Sequence, residues 1–191
     1  MASFPGKLGK LFGGGRLAAV DFDRRRLRLA ESVRAAGLAT VRRLRSAEMP
    51  DDLDVNDAHA VGGFLAATLR EMGLGGAPLL MNVPRGQAVL KPLSFPPGTA
   101  DADLPAMVLY QMESELPFPV ADAVVDFTVE THYAAEPAAQ DQTEGVDVLV
   151  AAVRLGIVDY YRRVASAAGC KLHGLGLRPY SSVRCLRSCL P

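Results

Sequence analysis

The side chains with the strongest chemical potential lie toward the two ends of this sequence. Near the start, Asp21-Phe22-Asp23-Arg24-Arg25-Arg26-Leu27-Arg28 sets two carboxylates beside four guanidinium groups. A run of arginines like this could attract RNA or acidic lipid. Near the end, Cys170, His173, Cys185 and Cys189 are of the types that bind zinc, but no CxxC pair is present and their order is unlike a closed zinc module. His59, His132 and His173 are isolated, with no G-x-S-x-G or comparable context, so nucleophilic catalysis is not supported. Glu113 and Glu115 cannot share a helix face, which leaves no acid–base pair there; both are expected to be solvated, and Glu113 is also a candidate for partner contact. Gly-Lys-Leu-Gly-Lys at the start, followed by Gly13-Gly14-Gly15, lacks the Ser/Thr and the preceding strand that a phosphate loop requires.

The chain that must position these groups has 191 residues, 49% of them hydrophobic, enough to bury a core and to exclude overall disorder. Its 21 basic and 21 acidic side chains cancel, so whole-protein attraction to nucleic acid or acidic lipid is not indicated. The charge is nevertheless blocked: +7 over residues 1–48, −13 over 49–147 and +6 over 148–191. Arg24, Arg25, Arg26, Arg28, Arg34, Arg42, Arg43 and Arg45 could form a basic sheet edge. Strand alternation would split them between faces, and no aromatics are interleaved as in single-strand readers. They read as edge protection, or as partners for the acidic middle of the chain. Three irregularly spaced cysteines and no visible leader point to a reducing, cytoplasmic setting. No apolar run approaches the ~20 residues of a membrane span, so membrane association is expected only through a partner.

Residues 1–15 read as a basic flexible lead. Leu17–Val20, Leu27–Leu29 and Leu38–Leu44 read as three strands. Asp54 is the expected cap of a helix carrying Ala58, Val61, Leu65, Leu69 and Met72 on one side, stopped by Gly73. Pro78–Val83 is a short buried strand. Gln87–Leu93 is an edge strand, because Pro92 cannot donate to a central ladder. Asp101 and Asp103 suit the start of a helix with Leu104, Val108, Met112 and Leu116 as its apolar stripe, ended by Pro117. Val125, Phe127 and Val129 alternate with polar residues as a half-exposed strand, and Tyr133–Gly145 reads as a loop. Val146–Val153 is a nearly continuous apolar strand; Ile157–Ala168 has helical spacing; Leu172–Leu177 and Pro179–Leu186 read as a closing strand and helix.

From Leu11-Phe12 through Glu31 the sequence resembles the start of the type IV pilus assembly protein PilM family, relatives of the FtsA actin homologues. Met81-Asn-Val-Pro84 resembles the family's strand-turn before an inserted subdomain, and Val89–Pro96 its first inserted strand. Leu109–Pro119 resembles its Glu-x-x-x-x-Ile-Pro-Phe-Pro helix end, and Val124–Asp126, Val148–Val153, Val158-Asp159, Ala168-Gly169 and Leu177–Pro179 follow in family order. The resemblance implies an α/β protein, half of an actin-like (ribonuclease-H-like) fold with a mixed sheet and helices, plus a small inserted α+β subdomain. Residues 16–84 and 169–191 are then the core subdomain and 85–168 the insertion. It also implies a piece of, or a shortened counterpart to, a usual family member.

In the family the hairpin reads Asp-Ile-Gly-Ser-Ser-Ser-Val-Lys and binds phosphate. Here Asp23 would set a carboxylate beside phosphate oxygens, and the long arginine side chains are expected to obstruct a tight turn. Asp21, Asp23, Arg24 and Arg28 therefore form a degenerate nucleotide site. The resemblance implies a non-catalytic cytoplasmic scaffold without cofactor, peripheral to the inner membrane and free to form a homo-oligomer. It would bind the short cytoplasmic tail of a PilN-like membrane protein in a groove between core and insertion. Arg85, Glu113, Leu116, Pro117 and Phe118 are the residues that could line that groove, although Phe118 could equally cap the insertion's own core. The alternative is an actin-like ATPase using ATP and magnesium, represented by its front half.

Overall fold

A computed structural model describes residues 15–35, 38–96, 98–129 and 145–189. The expectations for residues 1–14, for His132, for the loop from Tyr133 up to Gly145 and for the side chains of Arg34, Cys185 and Cys189 fall outside the described residues. In chain order the elements are β1 (Arg16–Asp23), β2 (Arg26–Ala35), β3 (Leu38–Glu48), α1 (Ala58–Glu71), β4 (Leu79–Val83), β5 (Ala88–Phe95), α2 (Leu104–Glu115), β6 (Ala123–Val129), β7 (Val146–Arg154), α3 (Leu155–Ala167), β8 (Leu172–Leu177) and α4 (Arg178–Cys189). They group into two compact units: the described part of Gly86–Leu155, and the described residues up to Arg85 together with those from Gly156 onward.

The second of these, the core unit, holds a five-stranded mixed sheet of order β3-β2-β1-β4-β8. β1–β2 and β2–β3 pair antiparallel, whereas β4 joins β1 and β8 joins β4 in parallel. Alternation along β1 explains what each face holds. Ala18 and Val20 are buried and Phe22 meets Tyr161 of α3, with ring centroids 6.3 Å apart. Asp21, pointing the other way, meets Arg178 of α4. The helices α1 and α3 touch at Gly62, where an added Cβ would lie 2.5 Å from the Ala167 Cβ and 2.8 Å from the Val164 carbonyl. Only glycine permits that approach. Leu27, Leu29, Leu65, Leu69, Leu74, Leu79 and Met81 are among the largest fully buried side chains of this unit.

The cap of α1 is Asp57, whose carboxylate accepts the His59 N–H at 2.8 Å. Asp54, expected as the cap, instead accepts the Asn56 N–H at 2.9 Å in an Asx turn one step earlier. Gly73, with φ 64°, ends the helix as its type suggests.

In the insertion unit, β5-β7-β6 form an antiparallel sheet. β7 is central, which accounts for its apolar residues on both faces. β5 is an edge, so Pro92 opposite Leu149 costs no central hydrogen bond. Leu104, Val108 and Met112 of α2 pack with Leu93, Phe95, Val148, Val150 and Ala152 on one face of this sheet. The unit closes at Leu155, earlier than the sequence boundary of 168. The reason lies in α3, whose apolar stripe serves the core unit: besides the Phe22 and Gly62 contacts, Tyr160 donates its hydroxyl to the Val55 carbonyl at 2.6 Å.

Candidate functional site

In the core unit the β1–β2 hairpin pairs Asp23 with Arg26 across a two-residue turn, Arg24-Arg25. Arg24 takes φ 54°, a conformation that hairpins of this length usually give to glycine or asparagine. The expected obstruction does not occur, because the long side chains leave the turn. Arg24 is exposed. Arg25 donates to the carbonyls of Pro50 and Leu53, while its own carbonyl accepts the Met49 N–H at 2.7 Å.

Both hairpin carboxylates meet internal cations. Asp21 accepts Nε of Arg178 at 2.9 Å, and its other oxygen lies 3.8 Å from Arg28 Nη1. Arg28 also donates to Asp23 at 2.9 Å, and Arg178 donates to the Phe22 carbonyl. Arg178 stands 157 positions from Asp21, so no local spacing could have announced the pair. It arises because β4 and β8 carry the first turn of α4 to the same sheet face.

Arg16, Arg26, Arg43 and Arg45 follow the same habit, while Arg42 is exposed. Glu31, buried, is held by Arg16 at 2.8 Å and Arg43 at 2.6 Å, and Arg43 donates further to the Met72 carbonyl at the end of α1. The hydrogen bond from Arg43 holds the Glu31 carboxyl below its ordinary range, against the opposing pull of burial and with help from Arg16. Arg26 pairs with Glu48, Arg45 with Glu71, and Arg25 lies 3.7 Å from Asp51. Of the anticipated acidic middle segment, Asp51 and Glu71 take part in these pairs, whereas Asp21, Asp23, Glu31 and Glu48 come from the basic segment itself.

In the insertion unit the end of α2 separates the expected contact residues by role. Leu116 packs on the unit's core. Pro117 and Glu113 are exposed. Glu115, expected to be solvated, accepts from Lys91 at 2.6 Å. Phe118, half-buried between two prolines, lies 4.1 Å beneath the Arg154 guanidinium, a partner from the end of β7 that sequence reading missed. Leu109 and Tyr110, 46% and 80% exposed, stand on the outer side of the same helix. Arg85 belongs to the core unit and is exposed in the turn Arg85–Gln87. Among the described residues, no three His, Cys, Asp or Glu side chains gather as a metal site, and no helix is long and apolar enough to cross a membrane.

The family described as type IV pilus assembly protein PilM matches residues 19–190. This chain belongs to the PilM family. Its fold is similar to that of a solved "PilM-PilN type IV pilus biogenesis complex", with TM-score 0.75 and 19% identity over 92% of this chain and 51% of the other. It is also similar to the cytoplasmic domain of EpsL, an inner-membrane component of the type II secretion system of Vibrio cholerae, with TM-score 0.50 and 16% identity over 85% and 57%. No curated protein matches the sequence. The PilM-family chain thus spans about half the length of these solved relatives and has the actin-like α/β fold with an inserted α+β unit.

Proposed function

We propose that this PilM-family chain is a non-catalytic adaptor of a type IV pilus or type II secretion-like assembly, cytoplasmic and held at the inner membrane by a partner. The partner is the short cytoplasmic tail of a membrane protein of the PilN kind. Family membership supports the setting, and the similarity to a protein solved with PilN supports the partner. The observation that carries the non-catalytic reading is the Asp21–Arg178 pair: an internal guanidinium lies on the carboxylate that opens the hairpin, and Arg28 bridges toward both acids. Carboxylates so engaged do not suit a magnesium-bound triphosphate. A guanidinium cannot be deprotonated and lost as a bound metal can.

On this reading the tail is met by Glu113, Leu116, Pro117 and Phe118, with Arg154 stacked over the last of these. The two prolines fix Phe118 beforehand, so little entropy is lost when it is covered. Two measurements test the proposal. Synthetic N-terminal tails of the inner-membrane proteins encoded beside this gene are titrated against the chain, and at least one binds saturably. Magnesium-ATP at millimolar concentration leaves the melting temperature unchanged. Saturable stabilisation by ATP, or failure of every tail to bind, overturns the adaptor.

A further inference from the structure

The sheet of the core unit has two edges of unequal length. β8, at one edge, has six residues, whereas β3, at the other, has eleven and is the longest of the described strands. Among the described residues nothing pairs with the outer side of β3. Alternate residues of such a strand turn their N–H and C=O groups outward, so β3 displays a row of unanswered donors and acceptors. Every residue from Ala39 to Ser46 is exposed.

The two faces of β3 carry different chemistry. Arg43 stands opposite Glu31 and Arg45 opposite Leu29, on the face toward α1, where they pair with Glu31 and Glu71. Leu44, opposite Ala30, and Val41, opposite Ser32, lie on the other face and are 77% and 57% exposed. Arg42 is the extra residue where the register slips between them; it is exposed and closes on no acid among the described residues. Charge is a common protection of an open edge, but large apolar side chains displayed beside it work against protection. A second copy does not suit this edge. Antiparallel pairing about the middle of β3 would set Arg43 against its own mate with Arg42 and Arg45 close by, and like charges opposed across a ladder destabilise it. A strand with carboxylates in those places and apolar residues at the alternate ones is complementary on both faces.

We propose that β3 accepts, as a sixth strand of the core sheet, an extended segment of another protein in which acidic residues alternate with apolar ones. The main chain of that segment answers the outward N–H and C=O groups. Its carboxylates meet Arg42 and share the half-exposed side chains of Arg43 and Arg45, while its apolar residues cover Leu44 and Val41. β3 belongs to the core unit and the end of α2 to the insertion, so this proposal does not depend on the tail reading.

The test titrates three short capped peptides into the full chain: one of alternating glutamate and valine, one of alternating lysine and valine, and the glutamate peptide with its amides N-methylated so that it cannot donate to a ladder. The glutamate peptide is expected to bind saturably and to slow amide exchange in β3. The lysine and N-methylated peptides should bind about tenfold more weakly or worse. Arg42→Glu should weaken the glutamate peptide about tenfold and Leu44→Ser by less, both with the melting temperature unchanged because the two positions are exposed. Equal binding of the N-methylated peptide, or slowed exchange confined to strands other than β3, overturns the added strand. Equal binding of the lysine peptide, indifference to Arg42→Glu, or no binding of the glutamate peptide overturns the acidic partner. Protection of β3 that grows with protein concentration in the absence of peptide assigns the edge to a second copy and overturns the proposal as well.

Discussion

The two units of this molecule treat charge in opposite ways. In the core, Arg16, Arg25, Arg26, Arg28, Arg43 and Arg45 of the hairpin and its neighbouring strands close on acids of the same unit, and Asp21, Asp23 and Glu31 are each held by guanidinium groups. In the insertion, Lys91 and Glu115 pair, Arg154 lies over a ring, and Asp126, half-buried, accepts the Phe127 N–H. Self-satisfied charges hold an architecture together and offer little to a ligand. The insertion leaves large apolar side chains exposed, Leu109, Tyr110 and Val124 among them, and exposed apolar surface is what a partner can cover. On the proposed reading, the hairpin does structural work and the insertion does the recognising of the tail.

The contrast is most forcefully tested by breaking each unit separately. Met112→Ala empties a fully buried position of the insertion core and should cost about 2–5 kcal/mol in denaturant unfolding. If the unit has its own core, amide exchange accelerates in β5, β6 and β7 while β1, β2 and β4 keep their protection. Gly62→Val is the counterpart in the core unit. Its methyl groups would collide with Ala167 and the Val164 carbonyl, and a loss of about 2 kcal/mol or more is expected, read by the same exchange experiment as loss of protection in α1 and α3.

Much of this division was legible beforehand. Strand alternation, the helix stripes and the edge proline located every described strand and helix, because each is set by local periodicity, although β2 runs to Ala35, six residues beyond the expected Leu29. The misplaced features depended on contacts distant in sequence. Asp54 and Asp57 are both good cap residues, and only the course of the chain chooses between them. The boundary at Leu155 could not be read because the stripe of α3 says that it is buried but not against what. The arginines at the hairpin tip were expected to obstruct the turn; Pro50 and Leu53, supplied from beyond β3, draw Arg25 outward instead. Of the site, Phe118 was visible as a proline-fixed aromatic, whereas Arg178 and Arg154 come to their partners only through the topology.

Acid sharpens the same comparison. Glu31 has its carboxyl lowered by Arg43 and Arg16, so its contribution is present above the ordinary carboxylate range and is lost as pH falls through the lowered folded value. Asp126 is raised, so its contribution runs the other way: it is present at low pH and lost as pH climbs through the raised value. Melting curves of Glu31→Gln should lose the acid-side decline and be less stable at neutral pH. Those of Asp126→Asn should lose the drop on going from acid to neutral pH. Identical pH profiles for the two variants would mean that the units do not differ in this way.

The smallest effect on stability is expected where the effect on binding should be clear. Arg154 over Phe118 is a cation–π contact at a half-exposed site, a class worth about 0.5–1 kcal/mol, so Phe118→Ala should scarcely shift the unfolding midpoint. Leu116→Ala, which removes a group packed on the insertion core, should shift it more. On the proposed reading tail binding should rank the two in reverse, with Phe118→Ala the more damaging, because Leu116 is mostly taken up by the interior whereas Phe118 is the preformed contact for the tail. If both variants lose binding in proportion to stability, Phe118 is only the lid of its own core and the end of α2 is not where the tail is recognised.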